Sequence, residues 1–377
     1  MTRHRRGPGL LPRPLALLGA LALAAGTAAA VRLLPEGAAP SPEPPPARPP
    51  VAGPPVTASP AERPRTAFVA FVDTAREPAF DLPAYSRRTG VRQYALGHLV
   101  AGGDGCAPQW SGTLAPVRDG TPAEPGGGPG RYEPEADLVA HGTPLPAPAV
   151  SAVAGREGLL DPGRNPVAGR IGRLRALGGD AAPVFGGPAG RELAATCTRP
   201  GGLAAAYRRV VGAFGAAAID FEVRDSADRA AVLRRARAIH AVQRERRLRV
   251  GFTLPLSRDG LAGSDVAMLR ATRLAGAEVG TVNLLVPIPP GGARLGRTAA
   301  AVRAAAGQIA RAQGLAGPAE AWPRIALTPV LSGPYDLSER DARTLAGYAA
   351  RQGLAWLSLR GVSPKPDVSR ILWRSPP

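Results

Sequence analysis

The stretch Ala216-Ala217-Ala218-Ile219-Asp220-Phe221-Glu222-Val223, then an Ala/Arg/Leu segment over 226–246, then Leu248-Arg249-Val250-Gly251-Phe252-Thr253-Leu254, decides the fold. The two outer runs are short and rich in β-branched or aromatic residues, while the middle segment spaces its apolar residues at helical period. Strand, helix, strand in that order is a parallel crossover unit. The same rhythm continues in both directions. Strand-like runs fall at 67–72, 93–100, 181–185, 216–223, 248–254, 281–288, 324–331 and 354–359, with helical stretches at 169–177, 202–214, 226–246, 264–274, 297–312 and 338–352. Eight such strands interleaved with helices predict an α/β fold closed into a (β/α)8 TIM barrel. An open doubly wound sheet would carry a Gly-rich phosphate turn after its first strand, and Phe71-Val72-Asp73-Thr74-Ala75 has none.

The barrel pattern occupies 65–377, broken at 113–160 by a stretch rich in Gly, Pro and Glu that reads as a long loop insertion. Ahead of it, 35–64 is a Pro/Ala/Glu/Ser segment in which fixed proline backbones and a lack of large apolar residues predict a disordered, extended linker. The first residues, Met1-Thr2-Arg3-His4-Arg5-Arg6, are basic, and no charge follows from Pro14 to Val31, with Ala28-Ala29-Ala30 near the end. Residues 1–34 therefore read as a signal peptide or as a hydrophobic helix anchoring the chain to a membrane. Either places the barrel outside the cell or in its envelope.

Of 377 residues 45% are hydrophobic, enough for a sizeable core. The net charge of +18 comes almost wholly from arginine, since Lys365 is the only lysine. A surplus of this kind favours anionic partners, yet no basic run is interleaved with aromatics as a nucleic-acid groove requires, so no nucleic acid is expected. Arginine with abundant Ala, Gly and Pro is also what a GC-rich coding sequence imposes. His4, His98, His141 and His240 are too scattered for a metal site, and two cysteines exclude a zinc cluster. Nothing in the sequence points to a cofactor. Cys106 and Cys197 either pair, as an oxidising compartment permits, or stay as buried thiols.

Ligand sites of parallel barrels lie at the carboxyl ends of the strands. There the fourth strand places Asp220, Glu222 and Arg224 on one face, because side chains alternate along a strand. A ligand site and an ion-paired polar cluster both satisfy this spacing.

Beyond spacing, the chain resembles the family 18 glycoside hydrolases, and among them small secreted bacterial chitinase-like proteins. Phe68-Val69-Ala70-Phe71-Val72-Asp73 with Phe80-Asp81-Leu82 is similar to the family's first strand and helix. Tyr94-Ala95-Leu96-Gly97-His98-Leu99-Val100, followed by Cys106-Ala107-Pro108-Gln109-Trp110, resembles its second strand and Cys-x-Pro-x-Trp loop. Residues 170–180 leading into Phe185-Gly186-Gly187, with Glu192-Leu193-Ala194 and Cys197-Thr198 after them, resemble the third strand and its sequel. The resemblance favours a Cys106–Cys197 disulfide.

Active members carry Asp-x-x-Asp-x-Asp-x-Glu on the fourth strand, the Glu protonating the glycosidic oxygen while the preceding Asp steadies the substrate's acetamide nucleophile. Here Gly215 and Ile219 align so that Ala217 takes the first Asp position, Glu222 the last Asp position and Arg224 the place of the acid. A guanidinium holds its proton to a pKa above about 12 and is no general acid. The sixth strand ends Leu285-Val286-Pro287-Ile288-Pro289-Pro290, without the family's acetamide clamp, and Arg360 stands where the family commonly has a Trp floor. The resemblance then implies a cleft built from Asp220, Glu222, Arg224 and Arg360, joined by Asp73, Gly186 and Gly187, with Trp110 as the ring for stacking on sugar. The expected function is an exported, catalytically inactive, monomeric chitinase-like protein that binds a glycan or an anionic cell-wall polymer. Two alternatives stand beside it: an active glycosidase with the register moved by two, so that Glu222 is the acid, and a structural or protein-interaction barrel without a sugar ligand.

Overall fold

The computed structural model describes residues 66–77, 79–111, 166–290 and 294–374, all within one compact unit, Glu62–Pro377. The leader at 1–34, the linker at 35–64 and the insertion at 113–160 lie outside the described residues. The elements run β1 (Ala67–Asp73), α1 (Leu82–Thr89), β2 (Gln93–Ala101), β3 (Pro108–Trp110), α2 (Pro166–Arg175), β4 (Asp180–Gly186), α3 (Leu193–Thr196), α4 (Gly202–Phe214) and β5 (Ala218–Glu222). They continue with α5 (Arg229–Glu245), β6 (Arg249–Pro255), α6 (Gly263–Leu274), β7 (Thr281–Ile288), α7 (Leu295–Gln313), α8 (Pro318–Ala321), β8 (Ile325–Leu331), α9 (Glu339–Gln352), β9 (Trp356–Leu357), β10 (Arg360–Gly361) and α10 (Pro366–Trp373).

The parallel order β1-β2-β4-β5-β6-β7-β8-β9 closes on itself where Ala67 pairs with Trp356, giving a TIM barrel. The eighth strand position, expected as one run over 354–359, is two short pieces, β9 on β8 and β1, and β10 on β8 alone. β3 pairs antiparallel with β2, outside the barrel order.

Local chemistry sets the helix ends. Asp81 and Asp228 accept from the Ala84 and Ala231 amides, both at 3.0 Å, and Ser338 with Asp341 forms a capping box at the start of α9. Outward strand residues and the helices form the core. Phe221 of β5 stacks on Phe185 of β4 with ring centroids 5.3 Å apart and meets Tyr207 of α4 at 5.2 Å. That leaves Ala218, Asp220 and Glu222 on the inward face. Among the described residues no helix is long and apolar enough to cross a membrane.

Candidate functional site

β5 ends at Glu222, and the carboxylate of that residue is the centre of the site. Only 2% of its side chain is exposed, and three donors surround it. His98 Nε2 of β2 lies 2.8 Å from Oε2, Arg224 Nη2 donates to Oε1 at 3.0 Å, and Arg360 Nη1 of β10 donates to Oε2. The Arg360 guanidinium also lies over the Phe71 ring of β1, 3.7 Å from its centroid. Burial works against ionising Glu222, but the His98 bond and the Arg360 charge outweigh it and hold the carboxyl down to about 2.

Asp220, one inward position deeper, meets a different environment. Thr253 Oγ1 of β6 donates to its Oδ2 at 2.6 Å, Asn283 Nδ2 of β7 donates to Thr253 Oγ1 at 3.1 Å, and Thr328 Oγ1 of β8 donates to Asn283 Oδ1 at 2.8 Å. The chain of donors runs across three strands and ends on the Asp220 carboxyl. Burial pushes that carboxyl up to about 6, against the pull of the Thr253 bond and the Arg360 charge.

Two glycines make this packing possible. Gly186 and Gly187 have φ of +87° and +92°, and a Cβ on Gly187 would come within 2.4 Å of the His98 ring. The Gly187 amide donates to the Glu222 carbonyl at 2.9 Å. Just beyond, Arg235 of α5 is fully buried and forks both oxygens of Glu192, at 2.6 and 2.7 Å, which fixes the loop that follows β4.

Asp220, Glu222, Arg224, Arg360, Gly186 and Gly187 are thus brought together. Arg224 and Arg360 converge on one carboxylate from different cavities. Arg224, 54% exposed, lines a cleft of about 290 Å³ at the strand ends with Gly186, Gly187, Arg191 and Glu222. Arg360, 11% exposed, lines a lumen of about 380 Å³ that runs inside the barrel past Asp220 to the first residues of the strands.

Two of the expected cleft residues stand apart. Asp73 accepts from the amides of Ala75 and Arg76 at 3.1 and 3.3 Å and organises the turn after β1. Trp110 packs against Phe214, ring centroids 5.9 Å apart, and lines neither cavity. His98, which the sequence presents as one of four scattered histidines and as part of the second-strand run without a site role, is the partner that sequence reasoning missed. Cys106 and Cys197 form a disulfide, Cα atoms 4.6 Å apart. Among the described residues no group of His, Cys, Asp or Glu is placed to hold a metal ion.

Chemically, the centre can fix a charge and bind acceptors or anions at the exposed Arg224. Glu222 itself carries no proton near neutrality.

No protein-family model and no curated protein matches the sequence. Solved structures match the fold. The catalytic domain of the hyperthermophilic chitinase from Pyrococcus furiosus superposes with a TM-score of 0.60 at 19% identity, over 83% of this chain and 95% of that one. Catalytic-site mutants of active domain 2 of that thermostable chitinase, complexed with chito-oligosaccharides, give 0.59 at the same identity and coverage. A family 18 chitinase from Pseudoalteromonas aurantia gives 0.50 at 10% identity, over 81% of this chain and 98% of that one. The barrel therefore has the fold of family 18 chitinases.

Proposed function

We propose that this chain is a non-hydrolytic, chitinase-like barrel that binds a glycan or an anionic cell-envelope polymer at its strand-end cleft. One observation carries the reading: the buried Glu222 carboxylate is shared among His98, Arg224 and Arg360, and the residue two positions on, just past the strand end, is itself an arginine. Cleavage of a glycosidic bond needs a group that delivers a proton to the leaving oxygen. Glu222, held ionised, has none to give, and Arg224 does not release its own. The same arginine suits binding, because its half-exposed guanidinium presents a fork to carboxylate, sulfate or phosphate groups. Arg191 lines the same cleft and adds a second positive charge. The Cys106–Cys197 bond supports export to an oxidising compartment, and the leader and proline-rich segment would hold the barrel off a membrane surface.

Hydrolysis of a fluorogenic chitobioside by the purified protein should not exceed the buffer blank. Turnover that disappears in Glu222→Gln would overturn the reading. Pull-down on insoluble chitin and on isolated cell walls should retain the protein, and Arg224→Ala should weaken retention. Retention driven by charge should fade between about 50 and 200 mM salt. Failure to bind either material at low salt would favour a protein-interaction role instead.

A further inference from the structure

The interior of a parallel eight-stranded barrel is ordinarily packed by layers of branched side chains. Here it is not filled. Inward residues in the body of the strands, Val69, Phe71, Ala95, Ala182, Asp220 and Trp356, are only half-buried, whereas their outward neighbours such as Val72, Leu96 and Ile219 are buried. They border the lumen of about 380 Å³, which falls in the size range of small-molecule sites. Its lining includes the first residues of several strands, among them Gln93, Asp180 and Arg249, so it opens at the amino-terminal face, away from the Arg224 cleft.

The chemistry of this chamber is specific. At its deep end the hydroxyls of Thr253 and Thr328 and one N–H of the Asn283 amide are spent along one chain that terminates on Asp220 Oδ2. What Asp220 offers the lumen is an acceptor with negative charge. Arg360, the nearby cation, is committed to Glu222. Asp180 at the opening is committed to Arg175, whose Nε donates to it at 2.9 Å. Arg249 also stands at the opening, is exposed, and lies on β6 two residues below the level of Asp220, since Ala218 pairs with Arg249 and Asp220 with Gly251. Two residues of strand span about 6.6 Å. The rest of the lining includes small apolar residues and the Trp356 side chain.

We propose that the lumen is a second binding site, for a short zwitterion of the ω-amino carboxylate type, with its ammonium on Asp220, its methylene chain against Trp356 and the alanines, and its carboxylate on Arg249. An ammonium donates to the free acceptor and is favoured by an aromatic wall. A carboxylate at the other end removes the repulsion that Arg249 would exert on a simple amine. The site does not depend on the strand-end cleft: Ala182→Leu, which fills the lumen, should leave cell-wall retention unchanged.

Titration calorimetry on the full chain at low salt, with 6-aminohexanoate as the probe, tests this. Saturable binding is expected, weakened at least about tenfold when either charge is missing from the probe, as in hexylamine and hexanoate. Asp220→Asn and Arg249→Gln should each weaken binding by about tenfold, and Ala182→Leu should abolish it. Arg249 is exposed at the opening, so its substitution reports on binding even if a lumen variant fails to fold. No saturable heat up to about 10 mM probe, equal binding of hexylamine, or unchanged binding in a folded Asp220→Asn or Arg249→Gln protein would each overturn the proposal.

Discussion

Asp220 and Glu222 share one strand face two residues apart, yet their carboxyls are driven in opposite directions, up to about 6 and down to about 2. Both are taken out of water; the difference lies in their partners. Glu222 has two guanidinium groups and an imidazole, whereas Asp220 has one hydroxyl. The stability consequences have opposite sign. Glu222 loses its proton more readily folded than unfolded, so its contribution is complete above its ordinary 4.5 and is lost as pH falls towards 2. Asp220 keeps its proton more tightly folded, so its contribution is complete below its ordinary 3.8 and is lost as pH rises through about 6. Each limb amounts to at most about 3 kcal/mol. In urea unfolding, the stability of Asp220→Asn relative to the native sequence should therefore rise by up to about 3 kcal/mol between about pH 4 and pH 7. A constant difference between the two proteins over that interval would mean that the folded barrel does not raise the Asp220 pKa.

At the scale of elements, the turn leaving β4 governs where the β2 histidine can go. Gly187 combines a φ of +92° with a bare α-carbon facing His98. Gly187→Ala therefore meets two penalties, about 1–2 kcal/mol for the left-handed backbone and a clash with the imidazole besides. The variant should lose at least about 2 kcal/mol in urea unfolding, and the chemical shifts of its His98 ring should change because the Glu222 contact is displaced. Unchanged His98 ring resonances in a destabilised protein would separate the glycine from the charge centre. Such coupling explains what the sequence conveys and what it hides. The barrel strands are legible because their outward residues are uniformly apolar, and the long helices because their apolar stripe has one period; α4 begins and ends where its pattern does, at 202 and 214. β3 and β10 are three and two residues long, too short to display any period, and β9 is legible only as part of the longer run at 354–359. His98 is hidden for another reason. Strict alternation from Leu96 would send it outward, but the β2–β4 register shifts between Gly97 and Leu99, so that Leu99 enters the core opposite Phe185 and His98 turns to Glu222. An irregularity of one residue leaves no mark in composition or spacing.

For the molecule as a whole, the arginine surplus has a structural place. Helices that follow parallel strands end at the amino-terminal face, and the last turns of α1, α2, α5, α6, α7 and α9 carry Arg87 and Arg88, Arg173 and Arg175, Arg244, Arg273, Arg311 and Arg351. Each complements the negative end of its helix by about 0.3–1 kcal/mol, and together they make that face positive around the opening of the lumen. The strand-end face is held differently, by a covalent tie. Cys106, between β2 and β3, joins Cys197, at the end of α3, across a sequence separation of 91, and Thr196 Oγ1 adds a bond to the Gly105 carbonyl at 2.8 Å. Closing a loop of that length removes unfolded-chain entropy worth on the order of 4 kcal/mol. Both tied segments lie close in sequence to the charge centre, since β2 carries His98 and α3 follows Gly186 and Gly187. The Cys106→Ser/Cys197→Ser double variant should therefore lose roughly 4 kcal/mol in urea unfolding, a reductant should lower the native protein to the same midpoint, and the reductant should leave the variant unchanged. Native protein whose urea midpoint is indifferent to a reductant that demonstrably opens the bond would show that the loop is already constrained when unfolded. With the expected loss, a barrel left reduced would keep only part of a margin of about 5–15 kcal/mol, so the disulfide carries a large share of the stability on which the Glu222 centre rests.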